Sequence, residues 1–168
     1  MSNEYKDWLA DLNDEQRRNY ELCIKYPILI PTSRWTGETW DDYMYEMTEL
    51  DHVPQGWRIA FGEQWAAEVQ EAINKIPENE RNKIRIMDLK EKYGQFRQYF
   101  SRYTDELDEI ISKYERLSER ICIHCGAPAT KMSQGWISPY CDPCSEKIPF
   151  MMVNIDEWFK EVDDDGSN

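Results

Sequence analysis

Apolar positions along the chain fall into short periodic blocks separated by polar, proline-bounded stretches. In EYKDWLADL, Tyr5, Trp8, Leu9 and Leu12 share one helical face. A second helix is predicted to begin after Asn13, whose side chain can cap it while Gln16 reaches back in a capping box. It stops near Tyr26, before Pro27. YPILIP then reads as an extended stretch held between prolines. From Thr32 to Pro54 the chain mixes acids and aromatics with no clear period. Trp35, Trp40, Tyr43 and Tyr45 are costly to leave in water, which predicts a loop-rich wrap over the core.

The strongest helical stripe is Trp57, Phe61, Trp65, Val69, Ile73 and Ile76, ended by Pro77 and weakened slightly by Gly62. Residues 84–102 predict a β-hairpin turning at Tyr93–Gly94, with Ile84 and Ile86 facing inward. The alternation fails after Met87, so a bulge or an early strand end is expected there. Thr104 is a predicted cap for a helix over 105–121, with Asp105 and Glu106 in the first turn and Arg116 and Arg120 in the last. Its stripe is Leu107, Ile110, Ile111, Tyr114, Leu117 and Ile121. These elements define an α+β fold in three parts: a body over 1–121, a ribbon or knuckle over 122–147 packed on it, and a segment over 148–168. The last is a short helix or strand followed by an acidic, solvated and mobile tail, VDDDGSN.

Composition adds a core and removes some classes. Forty per cent apolar residues, including 7 Trp, 10 Tyr and 5 Phe, exclude a wholly disordered chain. No apolar run reaches the roughly 18 residues of a membrane span. The charged first twenty residues lack the apolar region of a secretory signal, which predicts a reducing, cytoplasmic setting. The net charge of -13 is uneven: residues 1–80 carry 7 basic and 17 acidic side chains, whereas 81–103 carry 7 basic and 2 acidic. An acidic body disfavours non-specific binding to polyanions, with the basic island as the exception.

The candidate chemistry lies in CIHCGAPATKMSQGWISPYCDPC. Two Cys-x-x-Cys turns fifteen residues apart can present Cys122, Cys125, Cys141 and Cys144 tetrahedrally to one structural Zn. A rubredoxin-like iron site or a redox dithiol would use the same pattern. His124 could replace one cysteine, although an exposed loop imidazole is expected, and Cys23 is expected to be a buried small hydrophobe. Four thiolates leave no open position, and neither an HExxH motif nor a zinc-deaminase His-x-Glu is present, so no catalytic residue is predicted. Trp136 and Tyr140 could stack bases. With two basic residues between 122 and 147, packing of Trp136 against the preceding helix is the expected role.

In the basic island, Lys90, Lys92 and Arg97 with interleaved aromatics outline a surface for nucleic acid or a small signalling nucleotide, against a merely solvated charged face. An Asp88-x-Lys90 pair with Asp51 as a distant partner is a remote hint of a metal-dependent nuclease.

Four segments, TELDHVPQGWRIAFGEQW, IKYPILIPTSRW, RIMDLKEKYGQFRQYF and SERICIHCGAP…GWISPYCDPC, together resemble a family of small bacterial and phage proteins. The shared parts are Gly56–Trp57, Lys90 to Gly94 and Cys122 to Gly126, within roughly residues 22–147. The resemblance implies one α+β unit with a zinc staple and brings no established activity. A phage setting implies a small acidic inhibitor that binds a host defence protein in the host cytoplasm.

Overall fold

The computed structural model describes residues 4–166, with side chains from Trp8 onward. Tyr5's side chain, Ser167 and Asn168 lie outside the described set. Helix α1 spans Glu4–Asp11 and α2 spans Asp14–Lys25. Asn13 caps α2 as expected: its Oδ1 accepts from the Gln16 amide while Gln16 Oε1 accepts from the Asn13 amide. Pro27–Leu29 is a 3-10 turn, not the extended stretch expected, with Leu29 buried and the Ile28 amide donating to Gln70 Oε1 at 2.8 Å. Proline suits the first position of such a turn because its missing N–H would have no partner there.

The central helix comes in three pieces: a turn at Gln55–Trp57, a π-helical segment at Arg58–Gly62, and α3 at Glu63–Asn74. A strict four-residue repeat drifts by about 40° per step around a 3.6-residue helix. The wider π turn takes up part of that drift, so Trp57, Phe61, Trp65, Val69 and Ile73 all stay buried. Strands β1 (Ile86–Lys92) and β2 (Gln95–Phe100) form the hairpin. The register shifts between Ile86 and Asp88, which is the expected bulge at Met87. Tyr93 (φ 54°) and Gly94 (φ 80°) make the left-handed turn that a two-residue hairpin needs.

Helix α4 (Asp105–Ser118) is capped by Thr104 and covers the open side of β2. Its stripe differs from expectation at two places: the helix ends at Ser118, before Ile121, and position 117 does not face the core. Leu117 turns outward and Ser118 is buried, because Ser118 Oγ accepts the Phe96 amide at 2.8 Å and so closes the strand edge. Phe96 is the hub of the core, 5.4 Å from the Trp65 ring, 5.8 Å from Phe61 and 6.3 Å from Trp57. Burying each such ring is worth roughly 1.5–3 kcal/mol. The buried Gln98 is fully used: it accepts from Trp65 Nε1 at 2.7 Å and donates to the Phe96 and Ile111 carbonyls. Cys23 is buried as expected, and burial pushes its thiol up to about 11.

Two expectations for the periphery are corrected. Tyr43 and Tyr45 do pack, in an aromatic cluster with Tyr20 and Trp8, but Trp40 is exposed and Trp35 is 94% exposed. A tight turn closed by Ser33 and Glu38 holds Trp35 away from the core. The C-terminal segment carries helix into the first part of the stretch read as a tail. Strand β5 (Met152–Asn154) joins β3 (Lys131–Ser133) and β4 (Pro139–Tyr140) in the order β4-β3-β5, so the ribbon's sheet reaches past residue 147. Helix α5 (Ile155–Asp165), capped by Asn154, carries Val162 to Asp165. Arg120 anchors it, through Asp156 at 3.2 Å and the Phe159 ring at 4.2 Å.

The ribbon meets the body where the central helix begins. The Gly56 amide, one of the donors that a helix start leaves free, donates to the Ile123 carbonyl at 2.8 Å. Trp57 Nε1 donates to the Ile121 carbonyl at 3.0 Å. A Cβ on Gly56 would collide with the Cys122 carbonyl oxygen and come within 2.6 Å of Ile123 backbone; one on Gly126 would lie 2.7 Å from the Gly56 oxygen. Gly56→Ala should therefore lower stability by at least about 2 kcal/mol, measured by urea unfolding of the zinc-loaded protein. Unchanged stability would mean that this contact is slack.

Candidate metal centre and interaction surface

Cys122 follows the end of α4 by a few residues, and the chain turns back at once. The Gly126 amide donates to the Cys122 carbonyl at 3.0 Å, with Gly126 at φ 83°. That left-handed residue lets Cys122 and Cys125 face the same point. The second pair sits on a single helical turn, Asp142–Ser145, begun by Cys141 with Pro143 in its first turn. Ile123 donates to the Pro139 carbonyl at 2.9 Å, which fixes one loop against the other.

All four sulfurs lie within 4.8 Å of one another, and Cys125 and Cys141 are 3.5 Å apart. Four Zn–S bonds of about 2.3 Å in a tetrahedron require separations near ~3.8 Å, so the cluster fits one zinc. The ionisation pattern fits as well. Burial pushes the Cys122 thiol up, but the N–H groups of Cys141, Cys125 and His124 outweigh it and bring it down to about 7. Cys144 is pushed up to about 12 by burial and by the neighbouring sulfurs. Four crowded thiolates need a cation among them, and zinc supplies a crosslink here. His124 is exposed as expected, and its Nδ1 is 3.5 Å from Cys144 Sγ.

Among the described residues the four cysteines are the one group of three or more His, Cys, Asp or Glu close enough to share a metal. Of the Asp88–Asp51 pair, Asp88 binds Lys90 at 2.8 Å and Asp51 binds Arg58 at 2.9 Å.

The candidate ligand-binding residues separate. Lys90 and Arg97 face each other across the hairpin, and each is taken by a carboxylate, Asp88 for Lys90 and Glu115 at 3.2 Å for Arg97. Like charges directly opposite are unfavourable, and these carboxylates relieve the repulsion. Tyr140 is buried beside Cys122 and Cys141, so it is part of the ribbon's core rather than a stacking platform. Lys92 has no ion pair among the described residues; its Nζ lies 5.7 Å from the Tyr93 ring.

Trp136 does not pack on the preceding helix. It is 66% exposed on a turn pinned by Ser133 Oγ, which bonds the Trp136 and Ser138 carbonyls and accepts the Ser138 amide. This turn meets the hairpin tip: a Cβ on Gly94 would sit 3.4 Å from Ile137 Cγ2 and 3.6 Å from Met132 Sδ. A cleft of about 280 Å³ results, lined by Glu91, Lys92, Tyr93, Gly135, Trp136 and Ile137. Tyr93, one of the aromatics interleaved with the basic residues of the island, is 69% exposed at the left-handed hairpin turn.

No family model matches the chain, and no curated protein or solved structure matches it. No described helix is long and apolar enough to cross a membrane. The chemistry of the site therefore rests on its own geometry. Elemental analysis is expected to give ~1 zinc per chain, and Cys122→Ser should release it and cost several kcal/mol of stability, with zinc retention falling as pH drops because protons compete for the thiolates. A metal-free native protein of full stability would refute the site.

Proposed function

We propose that the protein works by binding another protein, and that the contact centres on the cleft between the hairpin tip and the zinc ribbon. The observation that carries this is the pair Tyr93 and Trp136, both largely exposed and both on turns tied down by hydrogen bonds or a left-handed backbone. Rigid Tyr and Trp side chains beside a pocket are the residues that dominate protein interfaces. Exposing them in water is otherwise unfavourable.

The charge distribution favours a protein over a polyanion. Of the cations in 81–103, Lys83, Lys90, Arg97 and Arg102 all have carboxylate partners. These ion pairs lower the net positive charge of the island, and the chain as a whole is strongly acidic, with net charge -13. The zinc staple serves this function by holding the Trp136 turn against the hairpin. The resemblance to small phage proteins makes a host protein, within a defence system, the first partner to seek, with inhibition as the outcome of binding.

Pulldown from host cells should recover one defined protein. Trp136→Ala and Tyr93→Ala should each weaken capture by at least about tenfold, a loss of 1.4 kcal/mol, without lowering the unfolding temperature. Undiminished capture by the double variant would refute the cleft. Retention of an oligonucleotide with a steep salt dependence would replace the protein partner with a nucleic acid.

A further inference from the structure

A second and larger cleft, about 480 Å³, lies between the Pro27–Leu29 turn, the end of α3, the short helical turn Glu78–Arg81 and the start of the hairpin. Its apolar lining includes Ile28, Ile30, Ile73, Ile84 and Ile86. Arg81 and Arg85 line it as well. Both residues are half-buried. Neither has a carboxylate within ion-pair distance among the described residues.

What holds them is main-chain oxygen. Arg81 donates to the Ile76 carbonyl at 2.8 Å and the Asn74 carbonyl at 2.7 Å. Arg85 lies over Gly37 and donates at longer range to Ser33 at 3.5 Å and Arg34 at 3.4 Å. Carbonyl dipoles position a guanidinium without cancelling its charge. Most cations of the basic island are neutralised by carboxylates, so two uncompensated ones on a single cleft stand apart in a chain of net charge -13. Two carboxylates also line this cleft. Glu49 is buried and already gripped by both Nη atoms of Arg34, at 3.0 and 3.3 Å, and Glu78 is exposed.

We propose that this cleft binds a small organic anion, its phosphate or carboxylate head taken by Arg81 and Arg85 and its apolar or aromatic body laid on Ile28, Ile73 and Ile84. Guanidinium forks match both head groups. The volume falls in the range of small-molecule sites, roughly 300–1,000 Å³, and a largely apolar lining with a few polar groups is typical of them. The body supplies affinity that inorganic phosphate cannot gain. This site shares no lining residue with the Tyr93–Trp136 cleft, and either can fail without the other.

The test is titration of the zinc-loaded full chain with guanosine 5′-monophosphate, indole-3-acetate and inorganic phosphate in parallel, followed by NMR of the backbone amides and arginine Nε–H groups. Saturable shifts at Ile28, Ile73, Arg81 and Arg85 are expected with an organic anion, the phosphate and carboxylate arms telling which head the site prefers. Inorganic phosphate should bind at least about tenfold more weakly. Arg81 also closes the end of α3, so Arg85→Gln, which leaves that end intact, is the decisive variant. It should weaken binding by about tenfold or more with no change in unfolding temperature. No saturable shift in the cleft with either organic anion, equal binding of inorganic phosphate, or undiminished binding by Arg85→Gln would each overturn the proposal.

Discussion

The architecture depends on a place where two stretches of main chain touch with nothing between them. Gly56 at the start of the central helix and Gly126 behind the first cysteine pair meet so closely that a methyl group on either would strike backbone. Backbone cannot move aside as a side-chain tip can, so the contact tolerates almost no substitution. It also satisfies helix-start hydrogen bonding, since Ile123 accepts the Gly56 amide and Ile121 accepts the Trp57 indole. Trp57 is fully buried and touches Phe96, so the seam leads directly into the core.

This seam gives the metal site its meaning. A zinc knuckle releases its binding energy as folding energy, an apparent value of about 10–16 kcal/mol in small zinc peptides. Here the residues that the four thiolates immobilise, Cys122 to Gly126, are the ones that press on Gly56. The ribbon's second contact, Gly94 against Ile137 and Met132, sets the hairpin tip beside the Trp136 turn. One crosslink thus fixes two surfaces: the helix start that organises the core, and the aromatic cleft proposed to meet a partner.

Much of this was legible in the sequence where a feature is local. The Asn13 box, the Thr104 cap, the Met87 bulge and the Tyr93–Gly94 turn are each written in a few adjacent residues. The cysteine spacing likewise predicts the cluster without any tertiary knowledge. What could not be read depends on contacts distant in the chain. Ser118 replaces Leu117 at the core because an amide 22 residues away needs an acceptor. Three residues, Met152 to Asn154, carry too little pattern to announce a third strand. Packing of Trp136 was expected because few basic residues lie near it in sequence, and only its turn geometry shows that it faces water. The pairing of Arg97 with Glu115 depends on how α4 packs on the hairpin, which adjacent residues do not reveal.

The central claim is that ribbon and body are one cooperative unit joined at the Gly56–Gly126 contact. Hydrogen exchange of the native chain, with and without a strong zinc chelator, tests it most directly. If the account holds, chelation strips protection from the ribbon and also from Gly56, Trp57 and the Phe96 amide, since the seam and the core behind it open together. Loss of protection confined to residues 122–147, with the central helix and hairpin still protected, would contradict it.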